Sequence, residues 1–207
     1  MILWRIVDRT LVKTAFSGQG AFDYGGRWNS PGVRVVYCSE HPALAAFEKL
    51  VHIEDFEALR QAYVLIPVEC RGEWIKTLPK TLPKNWDSDS ALSRLRALGN
   101  AWVESLHSVG VFVPSVVLPR CNNILLNPSH PDFGNLKIGR PVPFDFDSAI
   151  GAIGAASSLI RHNDVHGNVV RLRMNGGEFA FRIPQAGTER APGHGCNGAV
   201  VVAATVT

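Results

Sequence analysis

Short hydrophobic runs separated by polar turns fill the first 147 residues of the chain, and their spacing predicts an intermixed set of strands and helices. Runs rich in β-branched and aromatic residues predict five strands, over residues 3–7, 33–39, 62–70, 111–118 and 124–127. Helical spacing predicts two helices, over residues 43–53 and 88–107. Because proline cannot donate to a strand ladder, Pro67 predicts that the third strand lies at an edge or carries a bulge.

A glycine-rich segment, residues 16–32, precedes the second predicted strand. Its five glycines are expected to preclude a stable helix and to let backbone amides approach an anion closely. Arg27 follows Gly26 directly and is followed by Trp28 and Asn29. A guanidinium suits a diphosphate, and an aromatic neighbour can stack on a ring. The alternative is a surface arginine with Trp28 as core filler, and the motif alone does not decide between them.

The second strand runs directly into the first helix. Tyr37 lies near the end of this strand, where its ring can face either the core or a cleft. Ser39 is the expected N-cap of the helix, and Pro42 falls in the first turn, where its missing N–H has little cost.

One carboxylate of this helix stands out by position. Leu44, Phe47 and Val51 form a stripe that is expected to face the core, and Glu48 lies four residues after the first and three before the last. A carboxylate on a buried helix edge is unfavourable unless something pairs with it. A purely structural ion pair between Glu48 and Arg27 is the alternative, but buried ion pairs contribute little to stability, which favours a functional role.

A serine interrupts a row of valines in the fourth predicted strand. Alternation places Ser115 on the same face as Val111, Val113 and Val117. A hydroxyl in such surroundings needs a hydrogen-bond partner, either the backbone or a ligand.

Composition excludes several classes of protein. The net charge is only +3 and no basic face stands out, which argues against a nucleic-acid binder. The four cysteines contain no C-x-x-C pair, so a zinc site is not indicated and reduced thiols are expected. No apolar run reaches the roughly 20 residues that span a bilayer, so a soluble, cytoplasmic protein is expected.

The composition shifts after Asp147, which divides the chain into residues 1–147 and an extension over residues 148–207. Alternating residues around Asn175-Gly176 predict a β-hairpin over residues 169–183. The extension shows no candidate chemistry, so its role stays open.

Several of these segments together resemble the RES-domain toxins. The resemblance lies in A-F-S-G-Q-G-A-F-D-Y-G-G-R-W-N-S-P-G-V-R-V-V-Y, in A-L-A-A-F-E-K-L-V-H, in V-P-S-V-V-L-P and in N-I-L-L-N-P-S-H-P-D-F. It covers roughly residues 3–147, in the right order. The arginine, glutamate and serine that name the family fall on Arg27, Glu48 and Ser115, and Tyr37 matches its site tyrosine.

The resemblance implies an α+β fold, a mixed split-sheet domain similar to that of ADP-ribosyltransferase toxins, followed here by a β-rich extension. It implies NAD as substrate, no metal, and a toxin of a bacterial toxin–antitoxin pair that depletes NAD. Its partner would be an Xre-type helix-turn-helix antitoxin, with no direct contact to nucleic acid or membrane, and a homodimer or larger assembly stays open.

The implied chemistry is cleavage of the nicotinamide–ribose bond through an oxocarbenium-like state. Glu48 would stabilise the positive charge, Arg27 would grip the diphosphate, and Tyr37 would pack on the nicotinamide end. Ser115 would hydrogen-bond the ribose or carboxamide. The remaining predicted NAD contacts come from the glycine-rich segment: Gly26, Trp28 and Asn29.

Hydrolysis or phosphorolysis of NAD is the first expectation, and mono-ADP-ribosylation of a specific protein is the alternative. A ribonuclease toxin or a binding module is a third class. The near-neutral charge and the lack of a paired-histidine arrangement argue against a ribonuclease.

Overall fold

The computed structural model describes residues 1–51, 63–78, 81–144, 164–166, 169–174, 177–182 and 202–203. These residues fall in two compact units, one with the elements up to residue 144 and one with the strands between residues 164 and 203. As far as it is described, the first unit mixes three α-helices with eight strands, which confirms the predicted α+β class. Within the ranges given above, no helix is both long enough and apolar enough to cross a membrane.

The eight strands of the first unit form one sheet in the order β4-β5-β6-β2-β1-β3-β7, and β8 also pairs with β3. All neighbouring pairs are antiparallel except β4 and β5, which are parallel. The strands are β1 Ile2–Asp8, β2 Val36–Ser39, β3 Tyr63–Glu69, β4 Ile75–Thr77, β5 Gly110–Pro114, β6 Asn122–Leu126, β7 Lys137–Ile138 and β8 Val142–Phe144.

The five predicted strands are present as β1, β2, β3, β5 and β6, with shorter bounds for β2 and β5. Of the two alternatives for Pro67, the sheet-edge position is wrong, because β3 lies between β1 and the short strands β7 and β8. The bulge is not present in the pairing with β1, which runs without interruption from residue 63 to residue 69. Here β8 pairs with residues 63–65 and β7 with residues 68–69, so Pro67 lies in the gap between them. Its carbonyl oxygen accepts a hydrogen bond from the Gly139 N–H at 2.8 Å.

A short helix, α1 (Gln19–Tyr24), lies within the glycine-rich segment, so the prediction that its glycines preclude a helix is wrong. The reason is where the glycines lie. Gly18 and Gly25 adopt left-handed φ angles of 67° and 70° at the two ends of the helix. Only Gly20 lies inside the helix, and a single interior glycine costs about 1 kcal/mol, which packing can offset.

The helix α2 (Pro42–Leu50) packs against β1 and β2. Its N-cap is His41, whose Nδ1 accepts a hydrogen bond from the Ala43 N–H at 3.2 Å. The prediction of Ser39 as N-cap is therefore wrong. Ser39 is the last residue of β2, and its hydroxyl donates to Asn123 instead.

The buried face of α2 also differs from the predicted stripe. Phe47 and Val51 are 40% and 54% exposed, whereas Leu44 and Ala45 are buried. Because Glu48 follows Leu44 by four residues and Ala45 by three, it still projects from the buried face of the helix.

The helix α3 (Leu92–Ser105) covers one face of the sheet. Gly99 is buried in this helix, and a Cβ there would overlap the carbonyl of Trp28. The backbone of the glycine-rich segment thus packs closely against α3 at this point. The core on this face contains Trp28, Val35, Leu95, Trp102, Val111, Val113 and Leu125. The core on the opposite face contains Leu3, Val36, Cys38, Val68, Ile124 and Leu126.

The second unit contains an antiparallel sheet in the order β12-β11-β10-β9. Its strands are β9 Asp164–His166, β10 Val169–Met174, β11 Gly177–Arg182 and β12 Val202–Ala203. The register pairs Met174 with Gly177. Asn175, Gly176 and residues 148–163 lie outside the described residues, and the division of the chain at residue 147 stays a prediction.

Candidate active site

Two groups of polar side chains lie next to each other on the face of the sheet that α3 covers. Tyr37 and Ser39 are two residues apart in β2 and therefore point to the same face, about 7 Å apart. In the neighbouring strand β6, Leu125 lies opposite Tyr37 and Asn123 lies opposite Ser39. Tyr37 organises the group around Arg27, and Ser39 belongs to the group around Glu48.

The carboxylate of Glu48 is held by two neutral donors. Ser115 Oγ donates to Glu48 Oε1 at 2.7 Å, and Asn123 Nδ2 donates to the same oxygen. The sequence places Ser115 67 residues and Asn123 75 residues beyond Glu48. The antiparallel pairing of β5 with β6, and of β6 with β2, brings the three side chains together beside α2.

The hydroxyl of Ser115 is fully committed to this arrangement. It accepts hydrogen bonds from the backbone N–H groups of Val117 and Leu118 at 3.1 and 2.9 Å, and it gives its single proton to Glu48. A hydroxyl has one donor and two acceptor sites, so all three are used. The Ser115 hydroxyl thus forms hydrogen bonds both with the backbone and with Glu48, and Ser115 is only 3% exposed.

The charge of Glu48 is not neutralised by a cation among the residues that the structure describes. Arg27, the suggested structural partner, instead lies 3.8 Å from the Asp89 carboxylate, measured from Nη2 to Oδ1. Among the described residues, both donors to Glu48 reach Oε1, so none of them occupies Oε2, which is left for a ligand. The site therefore presents a half-buried carboxylate. The hydrogen bonds to Oε1 fix its orientation and thereby the direction in which Oε2 points.

Arg27 keeps most of its donors available. Its Nη1 donates a long hydrogen bond of 3.3 Å to the Trp86 carbonyl oxygen. Its ion pair is with Asp89, whose side chain is 91% exposed, whereas the Arg27 side chain is 25% exposed. Because exposed ion pairs are weak, an anionic ligand can replace Asp89 at small cost.

Tyr37 forms two hydrogen bonds with the loop that carries Arg27. Its hydroxyl donates to Asn29 Oδ1 at 2.7 Å and accepts from the Trp28 N–H at 3.2 Å. A Cβ at Gly26 would overlap this hydroxyl, so the ring packs directly on the loop backbone. Burial raises the pKa of the Tyr37 phenol to about 12, an effect only partly opposed by the Trp28 N–H and by the positive charges of Arg96 and Arg27.

Replacing Tyr37 with phenylalanine should destabilise the fold at neutral pH. The change leaves the Trp28 N–H and Asn29 Oδ1 without their partner, at a cost of about 1–3 kcal/mol. The folded pKa of about 12 lies above the unfolded value of 10.0, so the contribution of the neutral phenol is complete below pH 10 and declines as pH rises towards 12. Urea unfolding at pH 8 and pH 11 should show a larger difference between wild type and Tyr37→Phe at pH 8. A difference that grows at pH 11 would contradict this account.

Trp28 and Asn29, both predicted to contact the ligand, have buried side chains. Trp28 is 3% exposed and lies among the core residues on the α3 face, so the core-filler alternative describes its ring. Asn29 is fully buried, and its Nδ2 donates to the carbonyl oxygens of Ala21, Ser30 and Val33. Both side chains shape the loop, and a contact to a ligand would come through the loop backbone.

Four further residues support the site and were not identified from the sequence. Arg96 Nε donates to the Gly26 carbonyl oxygen at 2.8 Å, and Asn100 bonds both the backbone and the hydroxyl of Ser30. Both residues lie in α3, and their hydrogen bonds attach the loop that carries Arg27 to this helix. Asn123 and Ser39 support Glu48. The turn that the Asn122-Asn123 pair suggests in the sequence is wrong, because both residues belong to β6, where strand pairing places Asn123 opposite Ser39.

The arrangement combines a carboxylate that has no cationic partner in the described part of the chain, an arginine with spare donors and a half-buried aromatic ring. Such a set suits a ligand that carries phosphate at one end and develops positive charge at the other. Among the described residues, no three Asp, Glu, His or Cys side chains are grouped so that they could hold a metal ion.

Several proteins that are named as toxins are similar to this chain. A protein named Toxin Res from Yersinia enterocolitica serotype O:8 / biotype 1B is 40% identical over 149 residues, which is 71% of this chain and 97% of that protein. The Prs ADP-ribosylating toxin of Sphingobium sp. strain YBL2 is 35% identical over 139 residues, 65% of this chain and 86% of that protein.

A solved structure shares the fold. The M. tuberculosis MbcT-MbcA toxin–antitoxin complex contains a chain that matches with a TM-score of 0.53 and 22% identity, over 73% of this chain and 86% of that one. The model of the RES domain family matches residues 2–147, which include the loop arginine, the α2 glutamate and the serine after β5. From the family match and the identity to the Yersinia protein we conclude that this chain belongs to the RES domain family.

Proposed function

We propose that this protein is the toxin of a bacterial toxin–antitoxin pair and that it cleaves the nicotinamide–ribose bond of NAD, so that cellular NAD is depleted. The observation that carries the proposal is the state of Glu48. Its Oε1 is anchored by Ser115 and Asn123, and no cation among the described residues offsets its charge. A carboxylate kept for structure alone would be expected to have a cationic partner.

Loss of nicotinamide leaves positive charge on the ribose, shared between the anomeric carbon and the ring oxygen. The negative charge of Glu48, already held in place, stabilises this developing cation without reorganisation. Its Oε2 is the oxygen that faces the ribose in this proposal. Ser115 then acts by positioning Glu48, since its only proton is donated to that carboxylate.

Arg27 is proposed to bind the diphosphate of NAD in exchange for its ion pair with Asp89. The exposed part of the Tyr37 ring is proposed to pack on the nicotinamide end, while its hydroxyl stays committed to the loop. The backbone of Gly26, Trp28 and Asn29 lies next to both groups and completes the proposed NAD contacts. No metal is required, because the ribose cation is stabilised by a carboxylate and the phosphates by a guanidinium.

Replacing Arg27 with lysine should raise KM for NAD about 10-fold with a smaller effect on kcat, because an ammonium keeps the charge but loses the planar two-pronged contact. Steady-state nicotinamide release by the purified protein measures both constants. Arg94→Lys is the matched control, since Arg94 lies exposed on α3. An unchanged KM in Arg27→Lys would remove Arg27 from the binding site.

The group that accepts ADP-ribose separates two versions of the proposal. Water or phosphate as acceptor gives free ADP-ribose or its phosphate, and a protein acceptor gives mono-ADP-ribosylation. The similarity to the Prs ADP-ribosylating toxin favours testing the second version alongside the first. Incubation of the toxin with NAD labelled in the adenylate half, in buffer with phosphate and with cell lysate, distinguishes them. Label recovered as free ADP-ribose or its phosphate supports the first version, and label on one protein band supports the second.

The cognate partner is proposed to be an Xre-type helix-turn-helix antitoxin that blocks the NAD cleft and itself binds DNA. The MbcT-MbcA structure is a toxin–antitoxin complex, which supports an antitoxin partner for a related fold. Coexpression with the cognate antitoxin should preserve cellular NAD that is lost when the toxin is expressed alone. NAD that stays constant without the antitoxin, together with degraded RNA, would favour a ribonuclease instead.

A further inference from the structure

We infer that Asn123 is a positioning residue for Glu48 and that Ser39 in turn sets the orientation of the Asn123 amide. The inference rests on the proposed function, because it concerns how the carboxylate is aimed at its substrate. It adds two residues to the site that the arginine, glutamate and serine do not include.

The geometry forms one directed chain of hydrogen bonds. Ser39 Oγ donates to Asn123 Oδ1 at 2.7 Å, and Asn123 Nδ2 donates to Glu48 Oε1. Antiparallel pairing places Ser39 directly opposite Asn123, on the same face of the sheet as Tyr37. Ser39 is only 4% exposed, so its hydrogen bond is protected from exchange with water.

The direction of the chain follows from the chemistry of its last member. An ionised carboxylate only accepts hydrogen bonds, so Asn123 must turn its NH₂ group towards Glu48. Its Oδ1 then faces Ser39, whose hydroxyl can donate. Removing the Ser39 hydroxyl would leave that oxygen without its donor, and the amide would lose its preferred orientation.

Two donors from different parts of the sheet determine the orientation of the carboxylate. Asn123 comes from β6, and Ser115 comes from the turn after β5. Both bind Oε1, so the carboxylate plane has little freedom to rotate and Oε2 keeps one direction. Asn123 does not need to touch NAD to act in this way. Its loss should therefore reduce kcat and leave KM for NAD nearly unchanged.

The test measures kcat and KM of Asn123→Ala and of Asn123→Leu by nicotinamide release. The loss of a hydrogen bond to a charged group should lower kcat about 10- to 100-fold. Asn123→Leu should lose about as much as Asn123→Ala, because leucine has a similar size but no group that can donate to Glu48. Ser39→Ala should lose less, since it removes only the group that orients the amide.

The matched control is Asn122→Ala, one residue earlier in β6 and on the opposite face. It should keep wild-type kcat and KM. Thermal unfolding of each variant separates a folding defect from an effect on the site. The inference is supported if Asn123→Ala and Asn123→Leu remain folded at the assay temperature and lose kcat alone. It is overturned if kcat of these two folded variants is unchanged, if the loss appears in KM, or if Asn122→Ala shows the same loss.

A double-mutant cycle distinguishes this inference from the proposed function. In a Glu48→Gln background, Asn123→Ala should cause no further loss of activity, because the charge that it positions is gone. Full activity of Asn123→Ala together with an inactive Glu48→Gln overturns the inference and leaves the proposed function standing. Full activity of Glu48→Gln defeats the proposed function itself.

Discussion

Glu48→Gln should lose nearly all NAD consumption while it folds like the wild type. Glutamine has the same shape and keeps an oxygen that can accept from Ser115 and Asn123, so the hydrogen bonds can persist. Only the negative charge is removed, and with it the stabilisation of the ribose cation. Loss of such a preorganised group lowers kcat about 100- to 1000-fold. Nicotinamide release by the purified variant measures this loss, and a growth assay in cells without the antitoxin measures its consequence.

The control for this change is Glu104→Gln, which removes the same charge from the exposed surface of α3. It should keep wild-type kcat and toxicity. NAD consumption by Glu48→Gln at the wild-type rate would show that the carboxylate takes no part in the chemistry. A loss accompanied by a large fall in Tm would instead place Glu48 in the folding of the domain.

Gly99→Ala should destabilise the protein strongly, although it adds only one methyl group. The new Cβ would overlap the carbonyl oxygen of Trp28 and lie 2.8 Å from the carbonyl carbon. The obstacle is backbone on both sides, so either α3 or the loop must shift. Overpacking of this kind costs about 1–3 kcal/mol or more, which exceeds the gain of about 1 kcal/mol in helix propensity. Urea unfolding should show a lower free energy of unfolding, and the displaced loop should also weaken NAD binding.

Gly20→Ala is the matched control for that prediction. Gly20 also lies in a helix, but nothing lies within 4 Å of a Cβ at this position. Alanine there should stabilise the protein by about 0.5–1 kcal/mol, because the unfolded chain loses freedom and α1 gains propensity. Equal effects of the two substitutions would show that the packing of Trp28 against α3 is not the reason for glycine at position 99.

The main elements could be predicted because their patterns are local. Runs of β-branched and aromatic residues identified β1, β2, β3, β5 and β6, and helical spacing identified α2 and α3. The errors also have a local origin. The number of glycines in the segment before β2 led to the wrong prediction that no helix forms there. What matters is their position, since Gly18 and Gly25 lie at the two ends of α1. The predicted cap at Ser39 failed because that hydroxyl has a partner in another strand.

The candidate site was only partly predictable, for a related reason. Glu48 stands out in the sequence because a carboxylate on a buried helix face is unusual, although the face is set by Ala45 rather than by Phe47 and Val51. Trp28 was expected at the ligand, but nothing in its neighbours in sequence shows that α3 and Trp102 will cover it.

By itself the sequence determined which residues could do chemistry: one carboxylate on a helix face, one arginine after two glycines, and one serine among valines. It did so because burial patterns and conformational preferences depend on near neighbours in the chain. Only the tertiary structure decided how these groups are paired. Arg27 forms its ion pair with Asp89 rather than with Glu48, and Glu48 accepts hydrogen bonds from Ser115 and Asn123. Strand order and register set the contacts of Glu48 across 67 and 75 residues, and no local pattern encodes a partner at that distance.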